Sequence, residues 1–186
     1  MRISTIILGL ILCSFISCKQ EFKVFENKED IWNFDGDAKW SINNGELIGK
    51  SDGGFGWITS SGEYENFVLE LDFYPSSKVN SGVFIRCKDQ AINPDDCYEL
   101  NIWDAHTDLN NRTGAFVRRA RPLKQLNTIN KWNTYRIIAN GTRVKAWIND
   151  TLTVDAINGD LSKGYIGLQA KEKGEIKFKN VRIKEY

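Results

Sequence analysis

NSGVFIRCKDQAINPDDCYELNIWD, residues Asn80 to Asp104, carries two strand signatures on either side of a polar loop that holds Pro94. On period-two alternation, Ser81–Cys87 places Val83, Ile85 and Cys87 on one face and Phe84 and Arg86 on the other. Tyr98–Asp104 does the same, with Tyr98, Leu100 and Ile102 against Glu99, Asn101 and Trp103. The second face of each strand pairs a charged or amide side chain with an aromatic one. That combination is unusual for a merely solvated face and suits one that takes a carbohydrate.

Working outward, Phe67 to Tyr74 alternates just as cleanly, with Phe67, Leu69, Leu71 and Phe73 on one side and Pro75 ending the run. Upstream, Asn43-Asn44-Gly45 predicts a hairpin and Asp52-Gly53-Gly54 a further turn before Trp57-Ile58-Thr59. Downstream, short strands are expected at Trp132–Ala139, Arg143–Ile148, Leu152–Val154, Tyr165–Gln169 and Ile176–Ile183. The segment between Arg118 and Asn130 is long, basic and weakly patterned, the kind that often frames a site. So many short strands at this spacing imply an all-β sandwich or jelly roll of two packed sheets. A single domain over residues 28–186 accounts for the whole pattern, with no internal repeat.

Composition narrows the partners. The chain has 186 residues, 25 Lys and Arg against 24 Asp and Glu, and no basic cluster, so nucleic acid is excluded as a partner. Six Trp, six Tyr and ten Phe leave rings to spare for stacking on ligands.

The amino terminus reads as a targeting segment. Arg2 precedes an apolar run, Ile6 to Ile16, that is short for a membrane span. Phe15-Ile16-Ser17-Cys18 resembles a bacterial lipobox, which implies removal of residues 1–17 and acylation of Cys18. The alternative is an ordinary signal peptide with an incidental cysteine. A diacylated Cys18 would anchor the protein to a membrane of the bacterial cell envelope, with residues 18–27 as a tether. Cys87 and Cys97, ten positions apart, then remain as a pair that could close the hairpin loop in an oxidising compartment.

Several local patterns recur in one order: Asn80-Ser81-Gly82-Val83-Phe84-Ile85-Arg86, Tyr98-Glu99-Leu100-Asn101-Ile102-Trp103-Asp104, Thr113-Gly114-Ala115, Lys131-Trp132-Asn133, Trp147-Ile148-Asn149, Gly164-Tyr165-Ile166-Gly167-Leu168-Gln169 and Lys179-Asn180-Val181-Arg182-Ile183. This series resembles the bacterial 3-keto-disaccharide hydrolase family. The resemblance implies a concanavalin-like jelly roll of two antiparallel sheets and cleavage of glycosides already oxidised at C3. Such chemistry needs a carboxylate or imidazole base, and donors or a divalent cation to hold an enolate oxygen. The family often carries Asp-His-Gly after the Gly-Leu-Gln strand, whereas here Ala170-Lys171-Glu172 follows Gln169.

On these grounds Glu99 is the candidate general base, or else an ion-pair partner of Arg86. Arg86 is correspondingly a fixed cation for the reaction or a structural residue. His106, the sole histidine, is a candidate proton shuttle or metal ligand, or a solvated loop residue, and Asp104 either orients it or caps a turn. Asn101, Trp103 and Gln169 are candidate sugar contacts. Glu70 and Asp72 begin the Glu-x-Asp-x-x-Glu pattern of jelly-roll glucanases but lack its third acid, which leaves them as ligand contacts or a solvated pair. The runner-up function is a sugar-binding module without catalysis on the same fold.

Overall fold

The computed structural model describes residues 21–25 and 31–186. Eleven strands run in chain order: β1 Lys23–Val24, β2 Trp32–Gly36, β3 Lys39–Asn43, β4 Glu46–Tyr64, β5 Phe67–Pro75, β6 Ser81–Cys87, β7 Tyr98–Ile102, β8 Asn133–Asn140, β9 Arg143–Ile148, β10 Thr151–Ile157 and β11 Gly164–Glu185. Every strand pair is antiparallel.

Two strands are far longer than the sequence pattern suggests, β4 at 19 residues and β11 at 22. They pair along most of their length and run through both layers, so the jelly roll is one hydrogen-bonded system. In the back layer, the first part of β4 and the last part of β11 sit among β3, β5, β8, β9 and β10. In the front layer their other halves continue the order β2, β4, β11, β6, β7. Asp52-Gly53-Gly54, expected as a turn, lies inside β4 at the crossing, where Asp52 pairs with Lys173 beside a register shift in β11. The glycines permit the bend without ending the ladder; Gly53 has φ +119°.

Between the layers, Leu69, Leu71, Phe73, Ile137, Ala146 and Phe178 of the back layer meet Ile58, Val83, Ile85, Leu100, Ile166 and Leu168 of the front. Each such buried aliphatic or aromatic side chain contributes about 1.5–3 kcal/mol. The tight hairpins follow their residue types. Asn44 and Gly45 join β3 to β4 with φ of +47° and +78°, and Asn149 and Asp150 join β9 to β10 with +47° and +61°. Both are the left-handed pairs that two-residue hairpins need.

Two expectations at the amino terminus meet the structure differently. Cys18 and residues 1–17 lie outside the described residues. Part of the expected tether, however, is folded. Lys23 and Val24 pair with Ile183 and Arg182 of β11, and Phe25 is buried with its ring stacked on Trp32 at 5.4 Å. Burial of an aromatic ring outweighs the freedom a tether would keep at this point.

Candidate functional site

The outward side of the front layer is assembled by cross-strand register. Asp35 of β2 opposes Trp57 of β4, Trp57 opposes Gln169 of β11, and Gly82 of β6 opposes Asn101 of β7. The adjoining row contains Thr59, Gly167, Phe84 and Glu99. Directly opposed residues share a face, so these side chains line one surface.

Over part of that surface folds the loop between β6 and β7, closed by a Cys87–Cys97 disulfide. Ile92 from its middle packs with Trp57, Phe84 and the two half-cystines in a small apolar cluster. Gly167 makes this approach possible, because a Cβ there would stand 2.3 Å from Ile92 Cδ1. Asn93 and Pro94 continue the wall. Together with Asp35, Phe55, Trp57, Gln169 and Lys171 they bound an open cavity of about 460 Å³.

Glu99 stands beside this cavity, half-buried. Its side chain lies across Gly82, which offers no Cβ to block it. Burial pushes its carboxyl up to about 7, against the opposing pull of Lys171 and Arg118. Arg118 is itself ion-paired to Asp95 of the disulfide-closed loop.

The same surface gathers buried polar atoms that have no hydrogen-bond partner: Asn101 Oδ1, Gln169 Oε1, Trp57 Nε1 and Thr59 Oγ1. Buried polar groups are nearly always paired. Four of the eight such atoms among the described residues fall on this one face. The nitrogen of the Asn101 amide is engaged, since Nδ2 donates to the Asn111 carbonyl.

The sequence matches the 3-keto-alpha-glucoside-1,2-lyase-like domain over residues 21–184. The chain belongs to that family. Its fold is shared by a candidate glycosyl hydrolase from Parabacteroides distasonis ATCC 8503, 24% identical with a TM-score of 0.78, covering 89% of this chain and 100% of that one. It is shared also by carbohydrate-binding module CBM66 from Bacillus subtilis, 22% identical with a TM-score of 0.66, covering 84% and 98%. A protein with a galectin-like fold from Bacillus subtilis, 12% identical, has a TM-score of 0.61 and covers 89% and 94%. No curated protein sequence matches the chain. Family membership places the protein in carbohydrate chemistry.

Within this lyase-like domain, several expected site residues lie elsewhere. Arg86 does not reach Glu99. It adopts φ +54° where β6 bulges, and its fully buried guanidinium donates to the carbonyls of Glu65, Gly141 and Leu161 at 2.7 to 3.2 Å. The bulge breaks the alternation that had put Arg86 beside Phe84. Glu70 and Asp72 are on the back layer. Glu70 is ion-paired with Arg136 and Arg182, and Asp72 accepts a 2.6 Å bond from Asn180. They belong to a solvated charged face, not to the surface around Glu99.

His106 and Asp104 are also not coupled. His106 Nδ1 accepts from the Asp108 backbone N–H at 3.0 Å, and its ring meets Trp103 edge-on at 4.4 Å. Asp104 instead ties two loops together, accepting from Thr113 Oγ1 and from Thr128 N and Oγ1. Trp103 lies just past the end of β7, in contact with His106.

A divalent cation does not fit the residues present. Among the described residues no three His, Cys, Asp or Glu side chains cluster as a metal site, and the Glu99 carboxylate feels the positive charge of Lys171. Sequence reasoning missed Lys171, Trp57, Phe55, Asp35 and Asn93. Trp57 and Lys171 were reachable by parity from Gln169, once β4 and β11 were known to pair.

Proposed function

We propose that this domain cleaves 3-keto-glycosides by elimination and hydration, with Glu99 as the base. The observation that carries the reading is the half-buried Glu99 carboxylate on the same face as two unpaired buried amide oxygens, Asn101 Oδ1 and Gln169 Oε1, the second of them on a residue that lines the cavity. A ketone at C3 of the sugar acidifies the C2 hydrogen. Glu99, ionised near neutral pH, removes that proton and an enolate forms across C2 and C3. The enolate collapses, C3=O re-forms, C1=C2 forms and the C1–O bond breaks. The departing oxygen takes the proton that Glu99 removed, which regenerates the base, and water then adds across C1=C2, oxygen to C1 and hydrogen to C2. The net reaction is hydrolysis. Asn101 Oδ1 and Gln169 Oε1 accept bonds from sugar hydroxyls, and Phe55 with Trp57, centroids 4.9 Å apart, provides aromatic surface for a ring.

The test compares a 3-keto-disaccharide with its unoxidised parent. Release of 3-keto-glucose from the oxidised sugar alone supports the reading. A second reading, a carbohydrate-binding domain without turnover, draws on the commitment of His106 to its own loop, which leaves Glu99 without an imidazole partner. Glycan binding with no product from either sugar selects it.

The protein reaches its substrate, on this proposal, as a lipoprotein of the bacterial cell envelope anchored at Cys18. Mass analysis of the mature amino terminus decides this, since an unmodified Cys18 thiol sinks the anchor.

A further inference from the structure

Lys171 is the cation of the cavity lining. Its backbone bonds to Asn80 in both directions, at 2.8 and 3.0 Å, and opposes Phe55 on β4. Two residues beyond Gln169 on the same strand, it presents its side chain to the same face. Among the described residues it makes no ion pair within 4 Å, although Lys88 and Arg118 nearby do. A lysine kept beside a half-buried carboxylate without closing onto it leaves an ammonium for a ligand. Trp57 Nε1, buried and without an acceptor, is a second donor lining the same cavity.

We infer that Lys171 binds the ketone oxygen of the sugar and holds the negative charge that develops there when Glu99 removes the neighbouring proton. This rests on the reading of Glu99 as base. The sequence pattern had pointed to Arg86 for such a cation, but Arg86 is consumed by backbone carbonyls. In the elimination half of the reaction the proton goes from C2 to Glu99, the electron pair moves to the C3 oxygen, and the ammonium keeps its own proton. Fixed donors at a developing oxyanion strengthen as the charge forms, which is why they accelerate the step and do not merely bind.

The experiment isolates enolisation. 3-Keto-1,5-anhydroglucitol has an acidic C2 hydrogen but no aglycone oxygen at C1 to expel. Exchange of that hydrogen in D₂O is followed by NMR, with the uncatalysed rate subtracted, for the full-length protein and for Glu99→Gln, Lys171→Gln, Lys171→Met and Lys171→Arg. Lys171→Met and Lys171→Gln are expected to lose exchange by about 100-fold or more, with Lys171→Arg between them and the parent. Melting temperature and affinity for the unoxidised disaccharide should not change.

If Lys171→Met and Lys171→Gln exchange at the parental rate while Glu99→Gln does not, the role of Lys171 is overturned and the base stands. If loss of exchange in the lysine variants is matched by loss of affinity for the unoxidised sugar, Lys171 is a binding residue and the inference fails. Undiminished exchange by Glu99→Gln, or none by the parent, overturns the base and this inference with it.

Discussion

The Glu99 carboxylate lies across Gly82, with Oε1 and Cγ at 3.0 and 3.2 Å from where a Cβ on residue 82 would stand. Phe84 closes the same space at 3.3 Å. A missing side chain on β6 therefore sets the position of the acid on β7. Gly82→Ala should displace Glu99 while costing only about 1 kcal/mol of stability, because the crowding falls on side-chain atoms and not on backbone. The check is kcat/KM on a 3-keto-disaccharide alongside a urea melt. Activity should fall well beyond what the loss of folded protein explains.

Glu99 also makes stability depend on pH. Its folded-state pKa, about 7, is above the 4.5 of a free glutamate. A raised acid contributes stability that is full below pH 4.5 and is lost as pH rises through 7. Glu99→Gln should abolish that slope, leaving the variant more stable than the parent at pH 8 by on the order of 2 kcal/mol, a value reduced for the partial exposure of the group. Urea unfolding at pH 5 and pH 8 measures it. The ionised form is the base, so kcat/KM should rise through the same range; Lys171 and Arg118, the latter shared with Asp95, hold this limb down.

Much of this surface was legible from alternation. Glu99 and Asn101 emerge from β7 on one side, and Gln169 falls on the corresponding side of β11. What could not be read was pairing between distant strands. Nothing local in Trp57-Ile58-Thr59 or Ala170-Lys171-Glu172 says that β4 and β11 run side by side, and so Trp57 and Lys171 went unnoticed. Arg86 misled because a bulge shifts parity without a glycine to announce it; the arginine itself takes the left-handed conformation. Glu70 and Asp72 misled because a polar strand face looks alike on either layer.

Arg86 is accordingly expected to matter for folding and not for chemistry. Arg86→Met would leave the Glu65, Gly141 and Leu161 carbonyls without their donor, at a cost of about 3–5 kcal/mol. Thermal unfolding should show a large loss, with surviving folded protein keeping its kcat. Parental stability with activity abolished would return Arg86 to the site.

The disulfide-closed loop forms one wall of the cavity. Replacing Cys87 and Cys97 together with serine should cost about 2–3 kcal/mol, the loop-closure entropy of a short ring. It should also raise KM by loosening the wall that Ile92, Asn93 and Pro94 provide. Steady-state kinetics with and without a reductant, on the parent protein, checks the second effect.

The central claim is that Glu99 removes a proton made acidic by a C3 ketone. Incubating the purified protein and its Glu99→Gln variant with a 3-keto-disaccharide and its unoxidised parent sugar, and following 3-keto-glucose, tests it most directly. Product from the oxidised sugar alone, lost in Glu99→Gln with the fold intact, is the predicted result. Equal release by the variant, or cleavage of the unoxidised sugar, would contradict it.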